Sequence, residues 1–528
     1  EILHCGKTGI GDDFFRLGGD SINVLKLVEC LADFSLTPVM ILKGRTPEKI
    51  AALLQEKKAE GIKEAGPETD EKPDNRDAGK SIGGSGKADN REHAGERKEW
   101  PLTDSQMGVY LECISEPECT MYNIPMCCEL PEHIDLARFR EAVKKAVSMH
   151  PAFGVRIVQK EGTPFMELCP SYMDATVREC TARDMNGAEK GFVRPFAMGE
   201  EPLYRMALYR MVDGSGKNRI YFFFDVHHLI FDGTSVNVFL EEISLFYKGE
   251  EPGPEEISLM DVAVYEETVK DSPEYQAARE YFRSKLEDGE MGEALLKDYR
   301  MKSPGARSGS VRMSLREELS ALVVEQFVRQ KGISENTLFL GAFAYALGKY
   351  TGENKSLFCT VNNGRHCTGL SESVGMFVRT LPICQSWEES LSVDEFLQGF
   401  QKNFYETMEH DVISFEELAR DYGIASDILF VYQGEMLKGL SLDGKRYPAQ
   451  PLSTGQVQAN ISVMVMKEQG GYEVSLDYRS DLYGEKTAKG FSRMLVQVLR
   501  GMISCQKLNQ ISLVSESDIQ LLDSFHGT

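Results

Sequence analysis

Two short stretches of this chain combine residue types and spacings that could do chemistry. The first is Asp225-Val226-His227-His228-Leu229-Ile230-Phe231-Asp232-Gly233. An imidazole near its ordinary pKa of about 6.5 moves protons at neutral pH. Neighbouring side chains of a strand point to opposite faces, so at most one of His227 and His228 reaches a given cavity. The other should be packed and hydrogen-bonded. Asp232-Gly233 supplies a turn, and Asp232 can orient the local backbone or bind an arginine. The plain alternative is a pair of satisfied histidines at a strand end. The second stretch is Asp13-Phe14-Phe15-Arg16-Leu17-Gly18-Gly19-Asp20-Ser21-Ile22. Its glycines permit a tight turn, and Ser21 then opens a helix. A hydroxyl there is exposed, and the nearby amide dipoles favour an anion such as a phosphodiester. The plain alternative is a glycine loop with a Ser or Asp helix cap. No metal centre is expected, because adjacent histidines on a strand cannot share one site and no third ligand has suitable spacing. No G-x-S-x-G elbow occurs, which argues against a Ser-His-Asp hydrolase.

The elements that must position these residues follow from the pattern around them. Leu203–Met211 and Arg219–Ile230 read as a hairpin closed by Asp213-Gly214-Ser215-Gly216, and Ser235 then opens a helical run. Downstream, Asn336–Tyr350 reads as a buried helix and Lys355–Val361 as a strand, and Ile461–Lys467 with Tyr472–Tyr478 as a second hairpin. Near the start, Ser21–Asp33 has helical spacing and Thr46-Pro47 opens another helix. From Lys57 to Lys98 the only large apolar residues are Ile62 and Ile82. Such a segment buries too little to offset its ordering entropy, and reads as a tether with an r.m.s. span of roughly 35 Å.

Composition narrows the classes further. The 528 residues are 42% hydrophobic and 27% charged, as in globular proteins. A net charge of −23 argues against nucleic-acid backbones and anionic membrane surfaces. No run approaches the ~18 apolar residues of a membrane span, and no signal-peptide pattern is present. The chain starts at Glu1 rather than Met, which reads as a piece of something longer. Its 12 cysteines are scattered, so reduced thiols and a cytoplasmic setting are expected.

Both stretches resemble known families. DDFFRLGGDSI closely resembles the attachment motif of peptidyl carrier (thiolation) domains of non-ribosomal peptide synthetases, in which the serine carries 4′-phosphopantetheine. The resemblance implies that Ser21 carries the arm, added by a phosphopantetheinyl transferase. It also implies that a first helix of the carrier is missing. HHLIFDG fits the H-H-x-x-x-D-G motif of condensation domains, whose fold is related to chloramphenicol acetyltransferase. Other family segments occur in order: Leu102-Thr103-Asp104-Ser105-Gln106 resembles the S-x-x-Q opening, and His150-Pro151-Ala152-Phe153-Gly154-Val155-Arg156 resembles H-E-x-L-R-T-R. Asp261–Tyr265 resembles D-Y-A-x-W. Val374–Thr380 resembles I-G-x-F-V-N-T, with Arg379 in place of Asn. His410-Asp411 and Ser414-Phe415-Glu416 echo H-Q-D-x-P-F-E.

The resemblance implies an α/β (α+β) chain: a small helical carrier domain plus a two-lobed condensation domain. The expected boundaries are a carrier at 1–56, a flexible linker at 57–98, an N-lobe at 99–275 and a C-lobe at 276–510. Residues 511–528 would then be a connector toward an adenylation domain. The site would comprise His228, His227, Asp232 and Gly233, with Asp232 paired structurally to an arginine. Arg156 is the candidate partner, and Arg379 is expected to alter the tunnel wall. The implied activity is amide formation between a donor thioester and an acceptor amine, with donor and acceptor carriers and adjacent adenylation domains as partners. The rivals are epimerisation, toward which Asp20 counts because carriers preceding epimerisation domains often read G-G-D-S, and a silent condensation-like docking scaffold. Heterocyclisation is disfavoured, because that subfamily has Asp at the position of His227.

Overall fold

The computed structural model describes residues 8–14, 16–17, 27, 31, 34, 36, 40–41, 44–64 and 98–514, except 213–216, 288–294, 300–307, 318, 366–367, 426, 436–437 and 469. Ser21 and most of the expected tether lie outside the described residues.

Thr46-Pro47 opens a helix, Pro47–Glu64, in which the Thr46 hydroxyl accepts the Lys49 N–H at 3.4 Å. This helix runs eight residues into the stretch expected to be tether. The physical reason is local: Ala, Leu, Gln, Glu and Lys dominate it, and these are strong helix formers.

The first lobe is built on a five-stranded sheet of order β14-β2-β7-β6-β5. Its strands are β2 (Asn123–Leu130), β5 (Val177–Thr181), β6 (Tyr204–Val212), β7 (Asn218–His227) and β14 (Ala449–Pro451). Alternation on β7 divides its aromatic run between two faces. Phe222 and Phe224 enter the main core with Phe139 and Phe239 of the helices Leu136–Met149 and Gly233–Lys248. Phe223 goes to the other face, against Phe192 and Tyr209. A small antiparallel sheet of β1 (Glu99–Pro101), β4 (Thr163–Leu168) and β3 (Val155–Lys160) flanks this lobe.

The second lobe has a six-stranded sheet of order β10-β9-β11-β15-β16-β8. Its strands are β8 (Ser308–Ser314), β9 (Lys355–Asn362), β10 (Arg379–Ser386), β11 (Ile428–Glu435), β15 (Ile461–Glu468) and β16 (Gly471–Arg479). β11 runs parallel to both β9 and β15, and the other pairs are antiparallel. The helix Glu335–Thr351 is buried continuously from Thr337 to Gly348, as a helix that is apolar all round must be. It packs with the helices Val393–Glu409 and Glu485–Ser504 in one core.

The lobes are not divided cleanly at 275/276. β14 pairs antiparallel with β2, placing Ala449 opposite Cys128. Leu440 and Leu442 of the hairpin β12 (Leu440–Leu442) and β13 (Lys445–Tyr447) are buried in the first-lobe core, as are Val374 and Phe377. The expected boundary is corrected accordingly: residues downstream of 276 supply an edge strand and core side chains to the first lobe.

Candidate active site

β7 ends at His227, one turn earlier than the sequence pattern suggests, and His228–Ile230 forms a 3₁₀ turn. That break separates the two histidines. His227 is buried, its Nδ1 accepts the Leu229 N–H at 3.1 Å, and its Nε2 lies 3.6 Å from the Cys113 sulfur. Phe196 covers the ring edge-on at 5.8 Å. Burial, with smaller contributions from His228 and Arg205, pushes its pKa down to about 3. His227 is thus a neutral structural residue that shapes the turn.

His228 faces a cavity of about 720 Å³ between the lobes. Its backbone N–H donates to the Tyr122 carbonyl at 2.7 Å, and the Tyr122 ring stands edge-on to the imidazole at 6.4 Å. Its Nδ1 is buried with no hydrogen-bond partner among the described residues. Burial lowers its pKa, and the partial opposition of Asp232 does not reverse that. The imidazole is therefore neutral at neutral pH and able to accept a proton. Gln106 holds the turn from beneath: its side-chain amide donates to the Leu229 carbonyl at 2.6 Å, while its own Oε1 accepts the Thr103 N–H at 2.8 Å. The S-x-x-Q segment thus acts as a brace.

Asp232 caps the helix Gly233–Lys248. Its Oδ1 accepts the Ser235 N–H and hydroxyl, each at 2.8 Å, and its Oδ2 accepts the Phe377 N–H at 3.1 Å. Two guanidinium nitrogens of Arg365 donate to the same carboxylate at 2.8 and 3.1 Å. Burial alone would raise the pKa of Asp232, but Arg365 and the Ser235 bonds outweigh it and hold the carboxyl below its ordinary value. Arg365 also donates to the Leu370 and Ser373 carbonyls, and its guanidinium lies 4.7 Å from the Phe377 ring centroid. Gly364 has φ +67°, and a Cβ there would collide with the Phe377 carbonyl, so glycine is required for the arginine to enter.

Arg156 is not the partner of Asp232. It sits on β3 directly opposite Glu167 of β4, and its Nε donates to that carboxylate at 2.8 Å. A cross-strand neighbour on a half-exposed sheet satisfies it locally. Arg379 likewise leaves the cavity wall to its neighbours Val378 and Thr380. It reaches Glu266 at 2.5 Å and the Asp411 carbonyl at 3.2 Å instead. Gly233 and Thr234, at the start of the capped helix, line the cavity opposite Gln433 of β11. Residues that the sequence reading left unassigned also line it, among them Tyr122, Asn336 and Glu416.

The structure thus places a histidine turn at a cavity between two lobes, its aspartate locked by Arg365. Residues 96–522 match the condensation domain family and residues 1–54 match the phosphopantetheine attachment site family, so the chain belongs to the condensation domain family and carries a carrier segment of the kind that bears covalent 4′-phosphopantetheine. It is 23% identical over its whole length to surfactin synthase subunit 2 of Bacillus subtilis, and 24% identical to tyrocidine synthase 2 of Brevibacillus parabrevis. It spans 14% of the length of each of these synthetases. Among solved structures, the first condensation domain of the CDA synthetase matches 79% of this chain and 99% of its own, with 18% identity and a TM-score of 0.68. The X-domain in complex with OxyB, from teicoplanin biosynthesis, matches 80% of this chain and 97% of its own, with 17% identity and a TM-score of 0.68. No helix among the described residues is long and apolar enough to cross a membrane.

Proposed function

We propose that this segment forms an amide bond between a carrier-bound donor thioester and the amine of a carrier-bound acceptor, with His228 as the central catalytic residue. The observation that carries this reading is the neutral imidazole of His228 at the wall of the interlobe cavity. The cavity has the volume of a small-molecule site, and Asn336 Oδ1 is a buried polar atom without a partner on its wall. Such a site suits the amide-bearing end of a phosphopantetheine arm. The arm, attached at Ser21 or on an acceptor carrier, would present its acyl group as an activated thioester with a thiol leaving group. What remains for the protein is orientation, exclusion of water and management of one proton. His228 would position the attacking amine and take its proton. The start of the helix Gly233–Lys248 would favour negative charge developing on the carbonyl oxygen.

The test uses the segment with loaded donor and acceptor carriers, read for dipeptide and for α-deuterium exchange. Dipeptide from the wild type and a loss of about 10²–10⁴-fold in His228→Ala are expected. Deuterium exchange without dipeptide would make the domain an epimerase. Neither signal would make it a docking scaffold. Near-normal dipeptide yield from His228→Ala would refute the assignment of that residue.

A further inference from the structure

We propose that the cavity beside His228 selects an acceptor amino acid with a cationic side chain, held by Glu416 with support from Glu112. The inference rests on the amide-forming reading above and adds a substrate class to it.

The charge on the cavity wall is one-sided. Among the described residues no lysine or arginine lines it, whereas Glu112, Asp232, Glu335, Glu416 and Asp427 do. Two of these five are neutralised from behind the wall: Asp232 by Arg365 at 2.8 Å, and Glu335 by Lys467 at 2.9 Å. Asp427 accepts an amide N–H from Asn460 at 2.5 Å and lies in the field of Arg479, while Glu112 accepts the Tyr122 hydroxyl at 2.7 Å. Glu416 has no partner on another residue among those described. A cleft with uncompensated charge of one sign focuses its field on whatever enters, and here that field calls for a cation.

The backbone makes room for this carboxylate. Gly108 lies inside the helix Asp104–Ser115, where glycine costs about 1 kcal/mol relative to alanine. A Cβ at that position would collide with the Glu416 carboxylate. The glycine thus lets Glu416 lie against the helix with its oxygens open to the cavity. Glu416 is exposed to solvent in the open cavity, and partial desolvation by the surrounding walls, then Asp104, Glu112 and Glu266, shift its pKa upward. A bound cation would return it to the ionised form. The attacking amine must stand beside His228 and be neutral to react. Glu416 sits over Gly108 and so serves a second, permanently charged group.

Isothermal titration of the whole chain with amide-linked lysyl-, norleucyl- and glutamyl-pantetheine tests this. Lysyl-pantetheine is expected to bind at least about tenfold tighter than the norleucyl compound, and the glutamyl compound weakest. Glu416→Gln, shown folded by its melting curve, should bring the lysyl-to-norleucyl ratio close to one, and Glu112→Gln should narrow it. Equal binding of lysyl and norleucyl compounds by the wild type overturns the inference, as does an unchanged ratio in both variants. The dipeptide assay keeps the two readings apart. Dipeptide formation without a cation preference removes this inference and leaves amide formation standing. A cation preference in binding, with no dipeptide from any acceptor, removes amide formation.

Discussion

Arg365→Met, Asp232→Ala and the two together form a cycle whose outcome the geometry fixes. Asp232 and Arg365 are 2% and 8% exposed, and each is satisfied chiefly by the other. Removing one partner of a buried, hydrogen-bonded ion pair costs about 3–5 kcal/mol, because the survivor keeps an uncompensated charge in a poorly solvated place. In Arg365→Met the carboxylate keeps Ser235 and the Phe377 N–H, so the lower end of that range is expected. In Asp232→Ala the guanidinium keeps only the neutral Leu370 and Ser373 carbonyls and the Ser235 hydroxyl, so the upper end is expected. The double variant carries no buried charge at this point and should lose well under the sum, with a coupling of roughly 2–3 kcal/mol. Urea unfolding followed by tryptophan fluorescence and by circular dichroism measures all three, and agreement of the two probes is required before a single free energy is assigned. Arg156→Met is the control and should leave the transition in place. Additivity within about 0.5 kcal/mol in the cycle, or a large loss in Arg156→Met, would refute the reasoning.

Three further outcomes are expected. His150 is fully buried between Glu242 at 2.7 Å and Glu255 at 3.0 Å; burial opposes its charge, but the two carboxylates win and raise its pKa to about 9. A raised folded value means that the stabilisation is complete below pH ~6.5 and disappears as pH rises through 9, an effect of about 3 kcal/mol. Melting temperatures from pH 6 to 9.5 should therefore fall more steeply in the wild type than in His150→Gln, and parallel curves would count against the charged pair. Arg379→Asn leaves the buried Glu266 with the Asp104 N–H as its remaining partner and no countercharge, and should cost about 3 kcal/mol in the same urea assay, with Glu266→Gln restoring much of it; no recovery in the double variant would argue against this link. Incubation with coenzyme A and a phosphopantetheinyl transferase should add one arm by intact mass to the wild type and none to Ser21→Ala, and an arm on that variant would move the attachment site elsewhere.

What could be read from the sequence was what is local. The two histidines, Asp232 and Gln106 stand out within short motifs, although the 3₁₀ turn, the Asp232 helix cap and the bond from Gln106 to Leu229 are visible only in the structure. Strand alternation suggests that at most one histidine reaches the cavity, but what separates His227 from His228 is the end of β7 and the 3₁₀ turn that follows. Arg365 was missed because it is 133 residues from Asp232 in the chain. The available signal was Gly364-Arg365 just past the end of β9, a glycine where the chain must turn tightly beside a charged residue. Arg156 misled because its own neighbour, Glu167, is set by hairpin register, which a motif does not reveal. The helix past Lys57 was hidden by composition: a polar stretch with few apolar residues reads as coil, although its residues favour helix individually.

The strand β14 has a consequence for anyone who would recombine such domains. A chimera joined between the apparent lobes, with the first part from one protein and the second from another, would not exchange self-contained halves. The incoming second part would bring its own Ala449–Pro451 to the edge of a foreign β2, and its own Leu440 and Leu442 into a foreign core. The main-chain pairing tolerates a stranger, since backbone hydrogen bonds carry no side-chain information. The two buried leucines do not, and an ill-fitting pair would leave a void or a clash at the base of the first lobe. The practical unit of exchange is therefore the whole segment from β1 to the helix Glu485–Ser504, or a second part whose residues 440–449 are restored to match the host.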